Sequence, residues 1–190
     1  MSMNKQRRNR SKSSERFLDK EAILRGLNIL PGQTILDLGC GTGYMSREFS
    51  RALNHTGTVY AVDPNREAIE ALRSGMEGTN IKARVGDISS VKALGTSSMD
   101  IIYLSTVLHI FPEDQILAFQ KEAKRLLKPG AILAIVEIEK KETPFGPPLR
   151  MRLTPEDLKR LISLVPLATV DVGEHFYMQL FENPEKSPVD

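Results

Sequence analysis

The stretch Thr34-Ile-Leu-Asp-Leu-Gly-Cys-Gly-Thr-Gly-Tyr-Met45 constrains this chain more than any other. Thr34 to Leu38 is a short, mostly apolar run of the kind that fills a buried strand. It passes straight into Gly39, Gly41 and Gly43, and beyond the turn Met45, Phe49 and Leu53 recur at helical spacing. A strand, a glycine turn and a helix in that order make a place where a ligand meets backbone. Glycine lacks a Cβ and adopts positive φ readily, so the chain bends sharply and its peptide groups stay accessible. The helix start then presents N–H groups and a partial positive charge to an anion.

The spacing narrows the ligand. A dinucleotide fingerprint reads G-x-G-x-x-G, whereas here the glycines run G-x-G-x-G and Tyr44 takes the third position of that pattern. This disfavours a pyrophosphate packed on the helix and leaves room for a smaller headgroup, such as an amino-acid carboxylate. Asp37, two residues before the first glycine, is placed to meet an ammonium. A carboxylate on one side and N–H groups on the other suit the methionine end of S-adenosylmethionine.

Asp37-Leu-Gly-Cys-Gly-Thr-Gly43 resembles the signature of the class I S-adenosylmethionine-dependent methyltransferases. The resemblance extends to Val59-Tyr-Ala-Val-Asp63, Val85-Gly-Asp-Ile88 and Arg125-Leu-Leu-Lys-Pro-Gly130, and covers residues 14–182. Within that superfamily the chain is similar to the small ubiquinone-biosynthesis and arsenite methyltransferase groups. The resemblance implies an α/β, Rossmann-like, doubly wound sheet of seven strands, mostly parallel with an antiparallel last strand, and helices on both faces. It also implies methyl transfer from S-adenosylmethionine, leaving S-adenosylhomocysteine. Carried onto this chain, Gly39, Cys40, Gly41, Thr42 and Gly43 hold the methionine end. Asp63, followed by Pro64, takes the ribose hydroxyls, and Gly86, Asp87 and Ile88 take the adenine.

The residues themselves leave alternatives at several of these positions. Asp63 ends an apolar run, where an acid is placed for ribose hydroxyls, yet it also suits the N-cap of a helix over 65–74, with Pro64 at the first helical position. Asp87 also reads as a turn aspartate bonding its own backbone. Cys40 reads as a small packing residue, with a catalytic thiol as the alternative.

At 190 residues, 41% hydrophobic and 26% charged, the chain has the size and composition of one soluble globular domain. Its single cysteine excludes an internal disulfide and fits a reducing, cytoplasmic setting. No apolar run reaches the roughly 18 residues of a membrane span. The net charge of +2 is uneven: five of the 26 Lys and Arg lie in residues 1–12 with no acid beside them. Residues 1–13 therefore read as a disordered basic tail, 14–182 as the folded domain and 183–190 as a polar C-terminal tail. The acidic balance of the remainder favours a small-molecule acceptor over nucleic acid. An RNA or protein methyltransferase, or a silent S-adenosylmethionine-binding module, is the alternative. Oligomeric state is not legible.

A leading helix capped by Ser13 or Ser14 ends near Asn28, and Arg16 and Phe17 are placed to line a pocket it covers. Strands are expected over 81–85 and 99–104. Ser105 and Thr106 then fall at the carboxyl edge, facing the methionine part, and His109 faces the acceptor. His109 is the candidate base, because a neutral imidazole takes a proton from a hydroxyl or amine; pocket lining is the alternative. A helix over 113–127 stops at a Lys128-Pro-Gly130 turn, and a fifth strand over 131–136 carries Glu137 to the acceptor side. Glu137 and Glu139 alone make no metal site. Residues 140–153 read as a substrate lid, with Arg150 available to an anionic acceptor and a rigid connector as the alternative. Thr154-Pro-Glu-Asp157 opens a helix. Strands over 168–172 and 175–181 close the chain, and Tyr177 reaches toward the site or packs in the core.

Overall fold

A computed structural model describes residues 17–185. Arg16, Ser13, Ser14 and the basic tail lie outside the described residues. The sheet is built from β1 (Thr34–Leu38), β2 (Thr58–Asp63), β3 (Ile81–Val85), β4 (Met99–Ser105), β5 (Leu127–Ile138), β6 (Val165–Asp171) and β7 (Phe176–Glu182). Their order is β3-β2-β1-β4-β5-β7-β6. β1 to β5 pair in parallel, and β7 runs antiparallel to both β5 and β6. The order reverses between β1 and β4, where an open α/β sheet leaves its ligand crevice.

Alternation along the strands separates two apolar layers. Ile35, Ala61, Tyr103 and Val136 face one way and pack with α1 (Lys20–Leu27), α2 (Tyr44–Ala52) and α3 (Arg66–Arg73). Leu36, Ile102, Leu133 and Phe181 face the other way, toward α4 (Glu113–Leu126) and α5 (Pro155–Leu161). Phe49 and Phe119 sit fully buried in the two layers, and truncating either to alanine costs about 3–5 kcal/mol. At the opposite edge from the crevice, Asp100 accepts from the Thr34 amide at 2.7 Å and from Lys128 Nζ at 2.7 and 2.8 Å. One carboxylate thus clamps the starts of β1, β4 and β5. Among the described residues no helix is long and apolar enough to cross a membrane.

Several boundaries differ from those expected. α1 is capped by Asp19, whose side chain accepts the Ala22 amide at 2.9 Å, and Phe17 lies ahead of the helix. α3 is capped by Asn65, not by Asp63, and Pro64 precedes the cap. Lys128-Pro-Gly130 does not interrupt the chain after α4: β5 starts at Leu127 and runs through it. The reason is Asn183, buried and far from a loose tail. Its side-chain amide donates to the Leu127 and Lys128 carbonyls, both at 3.1 Å, and its main chain pairs with Gly130 and Ala131.

The α5 cap is the one anticipated. Thr154 Oγ1 accepts the Asp157 amide at 3.0 Å, and Asp157 Oδ2 accepts the Thr154 amide at 2.9 Å. The Thr154 amide, with the Thr154 hydroxyl and Arg160, holds the Asp157 carboxyl down to about 2. A carboxyl depressed on folding stabilises the fold above its unfolded value near 4 and loses that contribution as pH falls through the folded value. Asp157→Ala is therefore expected to lower unfolding free energy at neutral pH by about 1 kcal/mol. In urea titrations its gap to wild type should close as pH drops from about 4 to about 2.

Candidate active site

The glycine turn is held by β2. Gly39 and Cys40 amides donate to the Val62 carbonyl at 2.8 and 3.2 Å, and the Gly41 amide donates to Asp63 Oδ2 at 2.9 Å. Asp63 Oδ1 accepts the Asn65 amide at 2.7 Å. Gly39, Gly41 and Gly43 all adopt positive φ, of 72°, 53° and 81°. At Gly43 a Cβ would lie 2.5 Å from Leu72 Cδ1 of α3, so both conformation and space call for glycine. Gly43 caps α2 with no side-chain bond to the helix amides, which keeps that end of the helix available to an anion.

Asp37 lies under the turn, 2% exposed, and accepts Ser46 Oγ at 2.5 Å. Ser46 was not singled out in the sequence; its signal is position, since the third residue of α2 faces back toward β1. Cys40 is buried, and burial, followed by Asp37 and Asp63, pushes its thiol far above the ordinary range. A group held so firmly as a thiol is a poor nucleophile, and Cys40 packs in the apolar layer that holds Ile35 and Tyr103.

After β3, Asp87 Oδ1 accepts both the amide and the hydroxyl of Ser89 at 2.8 Å, the turn-aspartate arrangement. Ile88 beside it is buried, and the Gly86 amide donates to the Asp63 carbonyl at 3.2 Å. Ser105 ends β4 half-buried, and Thr106, at φ 55°, donates its amide to Val136 at 2.8 Å. The strained Thr106 carries the chain over β5 and delivers His109.

There the structure joins two residues that the sequence named separately. His109 Nδ1 lies 2.8 Å from Glu137 Oε2, and the His109 amide donates to Glu137 Oε1 at 3.2 Å. The Glu137 side chain is fully buried and that of His109 is 9% exposed. A carboxylate accepting from Nδ1–H leaves Nε2 of the neutral ring as a proton acceptor. Tyr177 is not part of this pair. Its hydroxyl donates to the Leu153 carbonyl at 2.7 Å, and burial, with Glu137 next, pushes the phenol above its usual range. Glu139 pairs with Lys141 instead. Among the described residues no three His, Cys, Asp or Glu side chains gather as a metal site.

The 140–153 loop is built around Arg152, not Arg150. Arg150 is exposed, whereas Arg152 is buried. The Arg152 guanidinium donates to four carbonyls: Pro147 at 2.8 Å, Glu139 at 3.0 Å, Lys141 at 2.6 Å and Phe145 at 3.1 Å. Nothing in sequence distinguishes these two arginines two residues apart. Phe17 stacks on Phe145 of this loop.

Because the turn depends on left-handed backbone and on contact with Leu72, Gly43→Ala is expected to destabilise the protein by about 1–3 kcal/mol. The measurement is a lowered midpoint in guanidinium unfolding.

Residues 35–130 match a family described as "Methyltransferase domain". The chain is 29% identical over 126 residues to a demethylmenaquinone methyltransferase of Staphylococcus saprophyticus, covering 66% of this chain and 53% of that protein. It is 28% identical over 111 residues to an arsenite methyltransferase of Halobacterium salinarum, covering 57% of this chain and 28% of the other. The chain thus spans about half or less of the length of the curated relatives it matches. In three dimensions it superposes on the crystal structure of an S-adenosylmethionine-dependent methyltransferase from Aquifex aeolicus with a TM-score of 0.74, at 24% identity, covering 87% of this chain and 90% of that one. With its glycine signature, seven-stranded sheet and family match in agreement, the chain belongs to the methyltransferase-domain family of the class I S-adenosylmethionine-dependent superfamily.

Proposed function

We propose that the chain transfers a methyl group from S-adenosylmethionine to a hydroxyl or amine of a small-molecule acceptor, with His109 as the base. The observation that carries this reading is the His109–Glu137 pair standing at the same carboxyl edge as the Asp63-tied glycine turn. The residues present fit the donor. The α2 amino end, uncapped by any side chain, suits its carboxylate. Asp37 lies under the turn for its ammonium, and Ser105, the last residue of β4, and Thr106 just after it are the polar residues that β4 brings to the same carboxyl edge. A carboxylate has about four lone-pair sites, so Asp63 keeps acceptor capacity for ribose hydroxyls while it holds Gly41 and Asn65. Asp87 and Ile88 offer an acceptor and an apolar edge to the adenine.

The bound donor supplies an electrophilic methyl on a sulfonium. The chain's own work is placement, exclusion of water and removal of one proton. Nε2 of His109 takes the acceptor proton as the nucleophile's lone pair forms its new bond. Glu137 holds the ring in the required tautomer and stabilises the imidazolium that results. The homologous quinone and arsenite enzymes support the reaction class and leave the acceptor open.

Calorimetric titration with S-adenosylhomocysteine tests the donor site. Wild-type protein is expected to bind, and Asp63→Ala to bind about 10- to 100-fold more weakly, the loss of charged hydrogen bonds. No binding by the wild type would sink the reading. With an acceptor found by screening phenols and amines, His109→Ala is expected to lower turnover about 10²- to 10⁴-fold. Its titration with S-adenosylhomocysteine should match wild type; a variant that turns over normally removes His109 as the base.

A further inference from the structure

The 140–153 loop turns an apolar tip to solvent. Pro148, Leu149, Arg150 and Met151 are exposed in succession, Leu149 by 38% and Met151 by 36%. Ile110, just past His109 at the same carboxyl edge, is 58% exposed. Single exposed apolar residues are ordinary, so exposure by itself assigns no partner to this tip.

The backbone beneath the tip does. A segment that enters lipid has to satisfy its own polar groups, because no water is there to do so. Pro147 and Pro148 bring no N–H. The Pro147 carbonyl accepts Arg152 Nε at 2.8 Å, the Pro148 carbonyl accepts the Met151 amide at 2.9 Å, and the Leu149 carbonyl accepts the Arg152 amide at 3.1 Å. The remaining guanidinium nitrogens take the carbonyls of Glu139, Lys141 and Phe145. Arg152 is buried, so its donors are spent inside the loop. A surface made to hydrogen-bond a protein or a nucleic acid would leave these carbonyls outward. Here they turn in, and apolar side chains turn out.

Charge favours the same partner. Arg150 stands exposed between the two apolar residues. Glu139 and Asp157, the acids that flank the loop, pair with Lys141 and Lys140. Phe145 of this loop stacks on Phe17 with ring centroids 4.2 Å apart, so the leading residues join the described domain beside the loop. Residues 1–12 hold Lys5, Arg7, Arg8, Arg10 and Lys12 and no acid. An apolar insertion and a polybasic stretch are two signals that together hold a protein on an anionic bilayer.

We propose that the Leu149–Met151 tip and the basic leading residues form a docking surface for an anionic lipid bilayer. Leu149 and Met151 enter the boundary between headgroups and acyl chains, while Arg150 and the leading cations meet lipid phosphates. Docking in this way turns the carboxyl edge of the sheet toward the bilayer, and it does not rest on the methyl-transfer reading.

The test is sedimentation of the full chain with vesicles of phosphatidylcholine, with and without about one-quarter phosphatidylglycerol. Binding is expected to the anionic vesicles alone and to fall steeply between about 0.1 and 0.5 M NaCl, as charge is screened. Leu149→Ser with Met151→Ser is expected to weaken it about tenfold or more, through lost apolar burial. Arg7→Gln, Arg8→Gln and Arg10→Gln together should weaken it by a similar factor. Both sets alter exposed or leading positions, so thermal midpoints are expected to stay at the wild-type value. The chain has no tryptophan, and Leu149→Trp therefore supplies a sole reporter, whose emission should shift to the blue on anionic vesicles and be quenched by brominated lipid. No sedimentation with anionic vesicles, or sedimentation with an unshifted Leu149→Trp emission, overturns the proposal. So does a short RNA that binds the wild type and the serine variant equally while vesicles bind neither, because the leading cations then serve nucleic acid.

Discussion

The bond from the Gly41 amide to Asp63 is the constraint on which the candidate site depends. Three glycines at positive φ make a turn with little intrinsic preference for one shape, and the unfolded chain has many others available to it. A charge-assisted bond to the end of β2 selects one. The same carboxylate accepts the Asn65 amide, so it also sets how the chain leaves β2 and enters α3. α3 in turn supplies Leu72, which closes the space at Gly43. One side chain thereby fixes the floor of the ligand crevice, and its position follows from the parallel register of β1 with β2.

The carboxyl edge also concentrates buried charge. Asp37, Glu137 and Arg152 are all among the buried residues, and burying an ionised group is costly unless its hydrogen bonds are met. Asp37 has the Ser46 hydroxyl, Glu137 has two donors on His109, and Arg152 has four carbonyls. These groups arrange their neighbours: a turn, an imidazole tautomer and a loop. The ion pair at the opposite edge, Asp100 with Lys128, is partly open to solvent and joins strand starts. The two edges use charge differently: the partly exposed pair ties strand starts, whereas the buried groups set a turn, an imidazole and a loop.

Much of the fold was legible because its signals are local. Apolar runs bounded by glycine or aspartate marked β1, β2 and β4, and Thr154 with Asp157 marked the start of α5. Glycine spacing marked the crevice, since backbone conformation at these positions depends on residues within the turn itself. Local signals failed where a distant partner overrode them. Lys128-Pro-Gly130 looks like a stop, yet Asn183 reaches it from the end of β7 and keeps it in the sheet. Asp63 looks like a helix cap, yet the glycine turn claims one of its oxygens and Asn65 takes the cap.

The candidate site divides the same way. By itself the sequence determined the sheet, the glycine turn, the acid at the end of β2 and the arrival of His109 and Glu137 at one edge. Each of these follows from strand period, turn chemistry or order along the chain. Only the tertiary structure decided that Glu137 bonds His109, that Arg152 and not Arg150 builds the loop, and that Phe17 lies on Phe145. Those pairings join segments 28, 13 and more than 100 residues apart. Whether two side chains meet across such a span is set by register and packing, which no short stretch of the chain contains.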